Sequence, residues 1–264
     1  MNAFDLTGRR ALVTGGAQGL GEGMAHALAA AGATVVIGDL QTDAAGAVAD
    51  SLGSGHGAVS LDVTDDESWA AAIAAATEQL GGLDVVVNNA GVEISALMTE
   101  ISADDVRRQL DVNVLGTALG IKHALRTMRP GGAAGDGGVI INVASVAATI
   151  AFPGIAIYSA TKSAIDRMTR VAAMEAGKLG YGIRVNSIYP GLVPTEMGAG
   201  LASDMAELRL FGSAQEAVEA VVGLTPSGRL GEVADMADAV VFLASDAARF
   251  VNGAGLPVDG GMGM

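Results

Sequence analysis

The 264-residue chain carries 38 glycines, no cysteine and a formal net charge of −14. Half of its residues are hydrophobic and 17% are charged, which excludes a disordered chain and suits one α/β domain. The acidic balance argues against a nucleic-acid partner or an anionic membrane surface, which need a basic face. The lack of cysteine excludes disulfides, thiolate metal sites and thiol redox chemistry.

The three histidines, His26, His56 and His123, have no ligand spacing, so no metal site is expected. Asp5 interrupts the start and no apolar signal segment follows, so a cytoplasmic protein is expected. One long uncharged run, 137–161, is interrupted by Asn142, Ser145, Pro153 and Gly154. It reads as strand, loop and helix start, not as a membrane span. Aromatics are scarce, which leaves a core of Ala, Val, Leu and Ile and allows close approach of helix to sheet.

In chain order, Arg10–Val13 is a short apolar strand ending in Thr14-Gly15-Gly16-Ala17-Gln18-Gly19-Leu20-Gly21. An Ala-rich helix follows over about Leu20–Ala31. Glycines at such a turn let the backbone approach a phosphate, which faces the free N–H groups of the helix start. Thr34–Ile37 is a β-branched strand buried on both faces, ending at Gly38-Asp39. Asp39 lies about 20 residues beyond the glycine turn, where an acid accepts hydrogen bonds from an adenosine ribose. The alternative is a cap on the helix expected over Thr42–Leu52. A strand at Ala58–Leu61 ends in Asp62-Val63, and Asp65-Asp66-Glu67 opens the next helix with acids at its positive end.

Leu83–Val87 is the fourth strand and ends in Asn88-Asn89-Ala90-Gly91, small and amide residues suited to a ligand crevice at a strand's C-terminal end. A long helix is expected over Ala103–Met128 with Asn113 inside it, either solvated or bonded back to the helix. After a glycine-rich loop, Val139–Val143 delivers Ser145. A helix from Tyr158 to about Leu179, a strand over Ile183–Ile188, and Pro190-Gly191 follow. Thr195–Leu224, bounded by Pro194 and Pro226, reads as two loosely amphipathic helical stretches. They form either a lid over a pocket or an ordinary packed pair. A helix over Glu232–Ala244 and a strand over Leu256–Val258 finish the chain. The alternation implies one doubly wound parallel sheet with helices on both faces.

Tyr158 and Lys162 are four apart, so a helix places them on one face. Many surface helices carry such a pair without consequence. A lysine ammonium ~5 Å from a phenol, at an effective dielectric of ~20, favours the phenolate by about 3 kcal/mol. That predicts a Tyr158 pKa lowered by roughly two units, a general acid/base near neutral pH, with the Ser145 hydroxyl serving the same reacting oxygen.

Thr14-Gly15…Gly19-Leu20-Gly21, Asn88-Asn89-Ala90-Gly91, Asn113, Ser145, Tyr158…Lys162 and Pro190-Gly191…Thr195 occur in this order at strand ends. In these motifs the chain resembles the short-chain dehydrogenase/reductase family over essentially its whole length. The resemblance implies a Rossmann-type α/β fold and nicotinamide-dependent interconversion of alcohol and carbonyl; Asp39 at the ribose, with no cation at Gln18 or Leu40, makes NAD the expected cofactor. It makes Tyr158 the acid/base. Lys162 binds the nicotinamide ribose and lowers the Tyr158 pKa, Ser145 orients the substrate oxygen, and Asn113 extends a proton path from Lys162 through a bound water. Gly15, Gly19 and Leu20 then line the pyrophosphate, Leu20 standing where isoleucine is commoner. Asp62 and Val63 flank the adenine, while Asn89, Ala90 and Gly91 run beside the ribose. Pro190, Gly191, Val193 and Thr195 hold the nicotinamide end. Gln18 and Leu40 occupy positions where a basic side chain would hold a 2′-phosphate. The expected substrate wall is Glu93, Ala147, Phe152 and the Leu192–Leu208 stretch, with Met197, Leu201, Met205 and Leu208. Apart from Glu93 these named side chains are apolar, which suits a hydrophobic cyclic, aryl or steroid-like secondary alcohol or its ketone. A homotetramer is implied, similar to family members of this length with a Val258-Asp259-Gly260-Gly261 tail. The other readings are a 3-oxoacyl carrier-protein reductase and a non-catalytic dinucleotide sensor.

Overall fold

The computed structural model describes residues 3–264. Seven strands form one parallel sheet: β1 (Arg10–Thr14), β2 (Thr34–Asp39), β3 (Gly57–Ser60), β4 (Val85–Asn88), β5 (Gly138–Val143), β6 (Ile183–Pro190) and β7 (Gly255–Val258). Their order is β3-β2-β1-β4-β5-β6-β7. The chain therefore winds outward one way from β1 and the other way from β4, and the α/β, doubly wound, Rossmann-type expectation holds.

The apolar runs alternate between two cores. Ala11 and Val13, Val35 and Ile37, and Val139 and Ile141 face one layer. That layer holds α1 (Gly19–Ala30), α2 (Thr42–Leu52) and α9 (Val233–Ala244). Leu12, Val36 and Ile140 face the opposite layer, packed on α3 (Asp66–Leu80), α5 (Gly116–Met128) and α6 (Ala156–Lys178). A period of two with both faces apolar is what a doubly covered parallel strand requires.

Several strand and helix ends differ by one or two residues from the sequence expectation, and one expected helix is broken. β4 begins at Val85 and not Leu83, because Asp84 gives its carboxylate to the backbone N–H and guanidinium of Arg10 across the sheet. The expected single helix over Ala103–Met128 is three pieces: α4 (Ala103–Gln109), a π-helical turn over Leu110–Leu115, and α5. Asn113 lies in that turn. It is neither solvated nor bonded back to its own helix. Its Oδ1 accepts from Val92 N–H at 2.8 Å, and its Nδ2 donates to Val92 C=O at 2.8 Å and Thr161 Oγ1 at 3.0 Å. An extra residue in a turn re-aims the side chain, and such bulges concentrate at functional sites.

The segment after β6 forms α7 (Glu196–Glu207) and α8 (Ala214–Leu224), N-capped by Thr195 and Ser213. Met205 and Ala217 join Ala147 and Ile155 in a small separate core. Among the described residues no helix is long and apolar enough to cross a membrane.

Candidate active site

The chain leaves β1 and β4 in opposite directions, which opens a crevice at their C-terminal ends. A cavity of about 650 Å³ occupies it. Gly15 has φ +60°, and a Cβ there would stand 2.8 Å from Ala90 Cα, so only glycine lets the turn close against the loop after β4. That loop is tied to β1. Thr14 Oγ1 accepts from the N–H groups of Asn89 and Ala90, and the Asn89 amide donates to the carbonyls of Thr14 and Gly15. Gly19, at φ +59°, opens α1. The N-cap residue Gln18 makes no side-chain cap, so the first N–H groups of the helix lack a side-chain acceptor.

Asp39 lines the cavity together with Gln18 and Leu40. It does not cap α2, whose N-cap is Gln41. Its Oδ2 accepts from Ala17 N–H at 3.1 Å and its Oδ1 from Gln41 N–H at 2.9 Å, which fixes the carboxylate beside the glycine turn. Asp62 and Val63 line the same end, and Asp62 is held by Thr64 through backbone N–H and hydroxyl. Gly15, Gly19, Leu20, Asn89, Ala90 and Gly91 continue the wall.

Ser145, Tyr158 and Lys162 line the cavity beyond Gly91. Ser145 follows β5 and caps a short 3₁₀ turn, accepting from Ala147 N–H. Tyr158 and Lys162 share one face of α6, with Lys162 Nζ 5.4 Å from the Tyr158 ring centroid. Lys162 is only 4% exposed, and its Nζ donates to Val143 C=O at 2.8 Å. Burial pushes the lysine down to about 8. The predicted lowering of Tyr158 is overturned in this structure. Burial pushes the phenol up to about 12, the Ser145 hydroxyl opposes that rise, and the charge of Glu93 adds to it. Desolvation of the phenolate is the largest contribution to the shift. Asn113 is fully buried and does not line the cavity. It reaches the site through Val92 and Thr161, and a Cβ on Gly91 would lie 3.2 Å from its Oδ1 and 3.5 Å from Lys162 Nζ.

On the far side the cavity is walled by Glu93, Ala147, Phe152, Leu192, Met197 and Leu201, with Pro190, Gly191, Val193 and Thr195 leading into α7. Leu208 does not line the cavity and packs against the small core of Met205 and Ala217. Met205 is a correction. It is 1% exposed and lies behind the wall, against Phe152, Leu201 and the backbone of Gly154, because it sits two turns beyond Met197 and faces inward. Burial pushes the Glu93 carboxyl up to about 7, partly offset by a hydrogen bond from Ser95 and reinforced by Asp204. Sequence reasoning missed Arg108 and Val112 from the α4 region, Val221 on α8 and Met262 in the C-terminal tail. Val112 had a signal, being adjacent to Asn113. The other three come from segments without a motif.

The arrangement fits a dinucleotide. A close-packed glycine turn, an uncapped helix start and a fixed carboxylate stand at one end, and a buried lysine and hydroxyl with a partly buried phenol at the other. Among the described residues no acidic or histidine cluster is able to hold a metal.

A family model described as enoyl-(acyl carrier protein) reductase matches residues 15–263. The trans-4-hydroxycyclohexanecarboxylate dehydrogenase of Sinomonas cyclohexanicum is 39% identical, over 95% of this chain and 91% of that protein. The 2,5-dichloro-2,5-cyclohexadiene-1,4-diol dehydrogenase of Sphingobium indicum is 39% identical, over 97% and 96%. The 3-alpha-(or 20-beta)-hydroxysteroid dehydrogenase of Mycobacterium tuberculosis is 38% identical, over 97% and 90%. Among solved structures, a short-chain type dehydrogenase/reductase from Mycobacterium marinum superposes with TM-score 0.87 at 33% identity, covering 99% of this chain and 98% of that one.

Proposed function

The chain belongs to the short-chain dehydrogenase/reductase family, alcohol oxidoreductases that use a nicotinamide cofactor, and from that premise we propose that it interconverts a hydrophobic cyclic secondary alcohol and its ketone with NAD. The observation that carries this reading is the convergence of Ser145, Tyr158 and Lys162 on one largely apolar cavity that also holds the glycine turn and Asp39. The relatives that act on cyclohexane rings and steroids support a ring substrate. The carrier-protein reductase reading is not favoured: these relatives are cyclic-alcohol dehydrogenases, and a net charge of −14 is a poor docking surface for an acidic carrier.

The cofactor supplies the hydride acceptor or donor when bound. The Gly15–Gly19 turn and the start of α1 hold its phosphates, Asp39 the adenosine ribose, and Asp62 and Val63 the adenine side. Lys162 binds the second ribose while Val143 fixes its position. Ser145 donates to the substrate oxygen, and Tyr158 passes a proton to or from that oxygen. With its pKa up at about 12, Tyr158 holds a proton at neutral pH, as ketone reduction requires. Alcohol oxidation needs that proton to leave and is favoured as pH rises. Asn113 shapes the loop at Val92 and carries protons onward from Lys162 by way of water. The helices α7 and α8 act as a lid, and the working enzyme is a cytoplasmic homotetramer.

The test is Tyr158→Phe. The ring still packs but the proton carrier is gone, so turnover of cyclohexanol with NAD should vanish while calorimetric NAD affinity stays within about threefold. Retention of more than a few per cent of the wild-type kcat would overturn the assignment.

A further inference from the structure

Glu93 is one of the few charged residues lining the cavity, with Arg108 and Glu196, and it stands among Ala147, Phe152, Leu192, Met197 and Leu201. It leaves the loop after β4 two residues past Gly91 and lines the cavity. Among the described residues the one hydrogen bond to its carboxyl is from Ser95 Oγ to Oε1, at 2.9 Å. No ion pair joins it to a cation among those residues, and the other charge that acts on it is Asp204. It is close enough to the phenol to raise the Tyr158 pKa. A carboxyl has about four acceptor directions, and only one is filled here. A half-buried acid with a single hydrogen-bond partner carries a desolvation cost that a hydrogen-bond donor on the substrate offsets.

We infer that Glu93 forms a subsite for a second hydroxyl on the substrate ring, so that the preferred substrate is a cyclic diol and not a ring with one hydroxyl or a ring bearing a carboxylate. The inference rests on the proposed alcohol dehydrogenase reading and adds the polar group that the substrate must carry away from the reacting carbon. At pH 7 the Glu93 carboxyl, pushed up to about 7, is present in both protonation states, and each can accept from a hydroxyl. A site built to bond a hydroxyl discriminates strongly against the analogue that lacks it. A ring carboxylate placed against the ionised Glu93 meets like charge.

The experiment compares kcat/KM with NAD for trans-cyclohexane-1,4-diol, cyclohexanol and trans-4-hydroxycyclohexanecarboxylate in the wild type, Glu93→Leu and Glu93→Gln. The readout is the ratio between substrates. The wild type should prefer the diol over cyclohexanol by about tenfold or more, through KM, and this ratio should fall to near one in Glu93→Leu. The isosteric Glu93→Gln should keep part of the diol preference and raise the carboxylate-to-cyclohexanol ratio. A diol preference that survives in Glu93→Leu, or a wild-type ratio near one, overturns the subsite and leaves the proposed function standing. A wild type that oxidises trans-4-aminocyclohexanol better than the diol overturns it in favour of a cation subsite. A wild type that turns over none of these alcohols, nor any other cyclic alcohol, overturns the proposed function and the subsite with it.

Discussion

Lys162 and Tyr158 lie one turn apart on α6; Lys162 is buried, and Tyr158 is partly buried against the cavity and the α7–α8 core. Burial disfavours whichever form is charged, so it lowers the lysine to about 8 and raises the phenol to about 12. The attraction legible in the spacing is worth about 3 kcal/mol at an effective dielectric of ~20. The opposing desolvation depends on Phe152, Leu201 and the α7–α8 core, which close around Tyr158 from distant parts of the chain. The pairing was therefore readable in the sequence, and the sign of the shift was not. Asp39 is a further residue whose placement decides chemistry. Its two oxygens already accept from Ala17 and Gln41, which aims the carboxylate and leaves lone pairs for the two hydroxyls of a ribose. A 2′-phosphate of about −1.5 to −2 charge would meet that carboxylate, and neither Gln18 nor Leu40 is a cation. NAD should exceed NADP by about 100-fold or more in kcat/KM, equivalent to about 2.7 kcal/mol. Asp39→Ala with Leu40→Arg should narrow or reverse the ratio. Steady-state kinetics with both cofactors decide it, and a wild-type ratio near one refutes the ribose role.

At the scale of elements, the seven strands and most helices follow from local pattern: β-branched runs buried on both faces, and glycine where each turn closes. The π-helical turn at Leu110–Leu115 does not follow, because its cause is Asn113 bonding to Val92 and Thr161, 21 and 48 residues away. Met205 was misplaced for a related reason. The amphipathic pattern of α7 says that Met197, Leu201 and Met205 share a side, but not where the cavity stops and the small α7–α8 core begins. That core is shallow beside the two that cover the sheet, and α7 presents Met197 and Leu201 directly to the cavity. Elements with few buried apolar contacts open most readily. Residues 195–224 should therefore exchange amide hydrogens much faster than β4–β6 in the free protein, and slow by about tenfold or more with NADH and a ring alcohol bound. Equal, strong protection with and without these ligands would make α7–α8 a fixed wall and not a lid.

For the whole molecule, the decisive quantity is the apolar surface that the fold leaves in water. Helix α6 buries Ile165, Ala172, Ala173 and Ala176 against the sheet, yet leaves Val171, Met174 and Leu179 between 49% and 75% exposed on its outer side. The π-helical turn, which sits beside α6, leaves Leu110 and Leu115 more than 40% exposed. Side chains of this kind on two neighbouring helices make an outer face that a second copy could cover, whereas scattered single residues would need no such cover. Closed pairs of such contacts would build the homotetramer that the family resemblance implies. Burying that face removes apolar area at about 25 cal/mol per Å², enough for a stable interface once it reaches the standard size of about 800 Å² on each partner. The net charge of −14 per chain opposes association at long range, so assembly should tighten as salt screens it. Light scattering at micromolar concentration should give four times the 26.2 kDa of one chain. Met174→Glu with Leu115→Glu should shift the mass to smaller species, because each carboxylate would have to be desolvated at the contact. A wild type that scatters as a single chain at these concentrations and at 0.5 M salt would leave the outer face of α6 as surface alone.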